Sequence, residues 1–127
     1  MAKLALALQQ RILQKPMKTT IEQSTGYEVY IIEDYKLIAD LSLDLKVDVL
    51  LMEVVALPPW DLDGCLKIVK DVEQHMPDCM IVFLCDAKNN NLGKDVAKAK
   101  RNHQIDAFVF SDTNYDFLIA TLQSLVS

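Results

Sequence analysis

VDVLLMEVVALPPWDLDG, residues 47–64, joins two patterns that cannot belong to one element. An apolar run carries one carboxylate, Glu53, near its end, then gives way to a proline-rich loop closed by Asp-Gly. A run without polar alternation suits a strand buried on both faces, as in the middle of a parallel sheet. Open parallel sheets place their sites at the carboxyl ends of their strands, so Glu53 stands where an acid is delivered to a site. A strand is predicted over 47–54, and Asp61 or Asp63 caps the helix that follows.

The same alternation recurs outward in both directions. LALAL (4–8), YEVYII (27–32), CMIVFLC (79–85) and AFVF (107–110) read as strands, and segments of helical period separate them. Pro16 suits the first turn of a helix and damages an interior, so the first helix is predicted from near Lys15 to Thr25, with Gly26 as its C-cap. Asp34 caps a second helix with Leu37, Ile38, Leu41 and Leu45 on one face. The third helix turns Leu66, Val69, Val72 and Met76 inward and stops at Pro77. AKNNN (87–91) is a turn-rich loop before a poorly apolar helix over 92–103, and Thr113 or Asp112 caps a last helix over 114–126. Strands alternating with helices give an α/β protein, a parallel sheet covered on both faces with right-handed crossovers. One domain spans 1–127, standing alone or excised from a longer protein.

Composition narrows the function classes. A net charge of −5 argues against sequence-independent binding to nucleic acid or anionic membrane, and Glu53 breaks the longest apolar run before it could span a bilayer. The opening MAKLALALQQRILQ lacks a cleavage site and reads as a strand, not a signal peptide. Cys65, Cys79 and Cys85 form no CxxC pair, which fits apolar packing in a reducing, cytoplasmic setting. His75 and His103 fall on different helices and read as surface residues, so no metal site is expected. Glycines at 26, 64 and 93 make no phosphate-cradling loop, so no flavin or dinucleotide cofactor is expected.

The order of these pieces resembles the receiver domain of bacterial response regulators. The resemblance rests on GYEV entering the second strand, VDVLLME, a proline and then Asp-Gly in the next loop, PDCMIVFLC and DAFVF. It implies a flavodoxin-like (βα)5 doubly wound sheet with strand order 2-1-3-4-5. It also implies positions for phosphoryl transfer, and at each one this chain departs from the family. Glu53 stands at the acceptor aspartate, and Gln9 and Gln10 at the acidic pair that helps hold Mg²⁺. Cys85 replaces the strand-four hydroxyl, Ser111 the strand-five lysine and Asp112 the proline after it, while Phe108 occupies the switch aromatic. Gly64 lies eleven positions after Glu53, farther than in the family's usual loop, and the extra length carries LPPW.

The altered site is expected to lack phosphotransfer. Gln9 and Gln10 offer only neutral carbonyl oxygens to a hard cation, and Ser111 supplies no charge for a phosphoryl group. Glu53 then reads as a solvated or hydrogen-bonded strand-end acid, as a stand-in for a phosphorylated aspartate, or as a residual ligand. Phe108 reads as a core residue or as a silent switch, since it lacks a hydroxyl and Cys85 is a weak donor. The surface is the other place for function. Lys94, Lys98 and Arg101 make a basic stripe, read either as a solvated face or as a partner contact. Phe117 points away from the inward face of Leu118, Leu122 and Leu125, marking an interaction surface unless it folds onto a neighbour. Trp60 is a packed lid or a partner contact. By resemblance, the surface of the fourth helix, fifth strand and fifth helix would dock a protein partner or a second copy. The chain is thus expected to be a non-enzymatic signalling module. The competing expectation is a flavodoxin-like domain binding a small molecule or anion at the strand ends. A Cys85 nucleophile is disfavoured because no histidine is placed to activate it.

Overall fold

In a computed structural model, which describes residues 2–86, 88–111 and 115–126, the chain forms five strands and five α-helices in strict alternation. They are β1 (Lys3–Ala7), α1 (Arg11–Thr25), β2 (Glu28–Ile31), α2 (Ile38–Leu45), β3 (Val49–Val54), α3 (Leu62–His75), β4 (Met80–Cys85), α4 (Asn90–Arg101), β5 (Ala107–Phe110) and α5 (Tyr115–Val126). All strands are parallel, in the order β2-β1-β3-β4-β5. The doubly wound sheet expected from the sequence is therefore present. Every residue of β3 is buried, which explains its unbroken apolar run.

Successive side chains of a strand face opposite sides of the sheet. Val49 and Leu51 join Leu4, Leu6, Met17, Ile21, Leu118 and Leu122 in a core under α1 and α5. Leu50, Met52 and Val54 join Ile38, Val69, Val72, Phe83 and Val96 in a second core under α2, α3 and α4. Two aspartates tie the opposite edge of the sheet. Asp48 Oδ2 accepts from the Lys3 backbone N–H at 2.8 Å, and Asp106 Oδ2 from that of Ile81 at 2.8 Å.

Three sequence expectations need correction. Helix α1 begins at Arg11, not near Lys15, so Pro16 lies inside it. Proline removes the hydrogen bond to the Ile12 carbonyl. That loss is tolerated because Ile12 and Pro16 both lie on the exposed face, where water can bond the carbonyl. Leu37 is 45% exposed instead of inward, because Asp34 caps a single 3-10 turn, Tyr35–Leu37, that changes the phase before α2 starts. Helix α4 runs over 90–101, so His103 lies beyond it with φ 61°. Asp61, not Asp63, caps α3, accepting from the Gly64 N–H at 3.1 Å. The proposed caps Asp112 and Thr113 lie outside the described residues.

Candidate functional site

The carboxyl ends of β1, β3, β4 and β5 bring the altered positions together. Glu53 pairs in register with Leu84, Val54 with Cys85, and Cys85 with Phe110, while the Ser111 N–H donates to the Cys85 carbonyl at 2.8 Å. Glu53 follows Val49 and Leu51 on the α1 face of the sheet, so its side chain meets the turn between β1 and α1.

That meeting is specific. Glu53 is 3% exposed. Its Oε1 accepts from the backbone N–H groups of Gln9 and Gln10 at 2.8 and 2.9 Å. Its Oε2 accepts from Gln10 Nε2 at 2.6 Å. The side-chain amide of Gln10 is thus committed to Glu53 and makes no helix cap of its own. A carboxylate at the N-terminus of α1 also meets the positive end of the helix dipole. From the other side, Gln14 Nε2 donates to the Leu8 carbonyl at 3.1 Å, so the turn is held from both ends. Of the readings of Glu53 left open by the sequence, the hydrogen-bonded strand-end acid describes this geometry.

The residues present do not fit a Mg²⁺ ion. A hard cation needs several oxygen ligands facing one point. Here both Glu53 oxygens are turned to N–H donors, and Gln10 offers its amide nitrogen there. Among the described residues no group of three His, Cys, Asp or Glu side chains could hold a metal.

The remaining positions are mostly packing residues. Cys85 is fully buried in the core under α3 and α4. Phe108 packs edge-on against Phe110, with centroids 5.7 Å apart at 83°. Ser111 is exposed. Burial pushes the Cys65 thiol up to about 12, and the charges of Asp61 and Glu53 add to it. Its Sγ donates to the carbonyls of Glu53 at 3.7 Å and Trp60 at 3.5 Å.

The loop between β3 and α3 is the feature least legible in the sequence. Trp60 is 8% exposed and meets Tyr35 edge-on at 5.9 Å, so it is a packed residue. The Val55 N–H donates to the Trp60 carbonyl at 2.8 Å, closing the loop. Tyr35 Oη donates to the Gly64 carbonyl at 2.6 Å. A Cβ on Gly64 would stand 1.9 Å from the Pro59 carbonyl oxygen, so only glycine lets α3 back onto the loop. The sequence signals were the extra length and Gly64 itself, but neither named Tyr35 as the partner. On the surface, Lys94, Lys98 and Arg101 are exposed, and Phe117 is 55% exposed. His75 and His103 are exposed as expected.

Comparison of the backbone with solved structures identifies this arrangement. The DNA-binding response regulator of the LuxR family from Staphylococcus aureus matches with a TM-score of 0.79 and 16% identity, over 98% of this chain and 98% of that one. The non-phosphorylated HemR receiver domain from Leptospira biflexa matches with a TM-score of 0.79 and 13% identity, over 100% of this chain and 95% of that one. The chain has the receiver-domain fold. A third receiver match is the response regulator TrrA from Thermotoga maritima in complex with Mg²⁺ and BeF, with a TM-score of 0.77 and 17% identity over 99% of this chain and 100% of that one. No protein-family model matches the sequence. No curated protein matches it either. The receiver architecture is therefore recognised in the backbone topology. Among the described residues no helix is long and apolar enough to cross a membrane.

Proposed function

We propose that this chain is a receiver-like signalling module that works by protein–protein contact, without phosphoryl transfer, enzymatic turnover or Mg²⁺, in the cytoplasm. The observation that carries this reading is the Glu53 carboxylate, buried and bonded to three N–H donors of Gln9 and Gln10. In this reading the internal carboxylate takes over the task of a bound cation, tying the end of β3 to the start of α1. Cys85 is buried in the core, Phe108 packs against it and edge-on against Phe110, and Ser111 brings no charge. Asp112, at the position of the family's proline, lies outside the described residues. Partner contact falls on the surface of α4, β5 and α5, where Lys94, Lys98, Arg101 and Phe117 are exposed. The crystal structure of histidine kinase ThkA with TrrA is a receiver-fold neighbour whose own partner is a protein.

Titration with Mg²⁺ and beryllofluoride, read by amide NMR shifts and melting temperature, tests this reading. A ligand at about 100 times its Kd adds about 2.7 kcal/mol, enough to raise the melting temperature of a domain this size by several degrees. The expected result is no shift in either signal. Saturable shifts centred on Glu53, Cys85 and Ser111 would replace this reading with the alternative, an anion or small-molecule site at the strand ends.

A further inference from the structure

The loop between β3 and α3 builds a surface of its own. Ala56, Leu57, Pro58 and Pro59 are exposed, Leu57 by 74%. The loop that carries them is nevertheless fixed, by the Val55–Trp60 backbone bond, by Trp60 under Tyr35, and by the close approach of Gly64 to Pro59. A lone exposed leucine is ordinary. This one is held out on a rigid mount, so ordering it on binding costs little.

What adjoins it gives the mount a use. Ala56 borders a groove of about 360 Å³ between the starts of α3 and α4. Its apolar lining includes Leu62 and Leu92, and its carboxylates are Asp61, Asp63 and Asp95, with no basic side chain among the described lining residues. Two of the acids have local roles: Asp61 caps α3, and Asp63 sits in its first turn, where the helix dipole favours a negative charge. Asp95 has neither role, since it lies in the second turn of α4. Three like charges around one groove repel one another, and a cation between them relieves that repulsion.

We propose that this groove and Leu57 together dock a cationic segment of a partner protein. Its lysines or arginines would meet Asp61, Asp63 and Asp95, and an apolar side chain would pack on the exposed Leu57. The fit rests on charge complementarity and an exposed apolar anchor, and the contact surface it assigns shares only the start of α4 with the α4, β5 and α5 surface. It does not depend on the fate of Glu53.

The test titrates ¹⁵N-labelled protein with three short synthetic peptides: amphipathic Lys/Leu, the same with Leu replaced by Ser, and the same with Lys replaced by Glu. The expected result is saturable shifts at Ala56–Asp63 and Leu92–Asp95 with the first peptide alone. Leu57→Ser and Asp95→Lys, each with an unchanged melting temperature, should each weaken binding about tenfold. Equal binding by the Lys/Ser peptide, shifts scattered over other acidic surface, or no shift would each overturn the proposal. So would concentration-dependent shifts of the same residues without peptide, because the occupant would then be a second copy presenting its α4 basic stripe.

Discussion

At the scale of single residues, Glu53 and Ser42 show opposite uses of a buried polar group. Glu53 has both oxygens satisfied by charge-assisted bonds, which are the stronger class. Glu53→Gln keeps the shape but turns an NH₂ toward an N–H donor at one of the two oxygen positions. It should cost about 2 kcal/mol, which thermal melting would register as a drop of several degrees. A melting temperature unchanged by this substitution would mean that the contact to Gln9 and Gln10 contributes nothing. Ser42 is fully buried in α2, and among the described residues its Oγ has no hydrogen-bond partner. An unsatisfied buried hydroxyl carries its desolvation cost uncompensated. Ser42→Ala should therefore stabilise the protein by about 1 kcal/mol, measured as a higher midpoint in urea with an unchanged slope. The sequence marked Glu53, Gln9 and Gln10 as altered positions and placed them at one sheet edge. It could not show that Gln10 reaches across to Glu53, because a contact spanning 43 residues is fixed by packing and not by local pattern. Ser42 carried no signal at all, since its helical face is set by where α2 begins.

At the scale of elements, strands were more legible than helix ends. The central strands are buried enough to read as apolar runs, and AFVF was placed at its observed bounds. Helix ends depend on caps and phase, which compete. Pro16 moved the expected start of α1 because its cost outweighed the weak signal of Arg11–Gln14. Helix C-termini show the same competition. Gly26 closes α1 at φ 77°, the left-handed conformation that glycine adopts freely. Lys46 closes α2 in the same conformation, at φ 54°, although it has a Cβ. Its N–H reaches the Leu43 carbonyl at 3.2 Å, and the Val47 N–H reaches that of Ser42 at 3.2 Å, the paired bonds of a Schellman closure. A left-handed residue with a side chain costs about 1–2 kcal/mol, partly offset by the greater freedom a glycine would lose on folding. Lys46→Gly should therefore stabilise the protein by about 0.5–1 kcal/mol. Chemical denaturation checks it, and a loss of stability would show that the Lys46 side chain contributes more than its backbone conformation costs.

At the scale of the whole molecule, two thick cores place thiols and phenols where ionisation is costly, and this sets an alkaline limit. Cys65 and Cys79 are both held up to about 12 against an ordinary value of 9.0, first by burial and then by nearby carboxylates. Burial also raises the hydroxyls of Tyr27 and Tyr35. A folded-state value above the unfolded one means that the folded protein holds its protons while the unfolded chain sheds them. The stability contributed is complete below about pH 9 and is lost as pH rises from there toward 12. At neutral pH these two thiols are therefore neutral and shielded, poor nucleophiles toward a thiol reagent. The expected outcome is a melting temperature that falls steadily between pH 9 and 11. The lysines also lose charge in this range, so the wild-type curve alone does not isolate the thiols. A Cys65→Ala/Cys79→Ala variant does: whatever its melting temperature at pH 8, its fall from pH 8 to pH 10.5 should be smaller than that of the wild type. An equal fall in both proteins would assign the alkaline limit to the tyrosines and to net charge, and would remove the cysteines from the account.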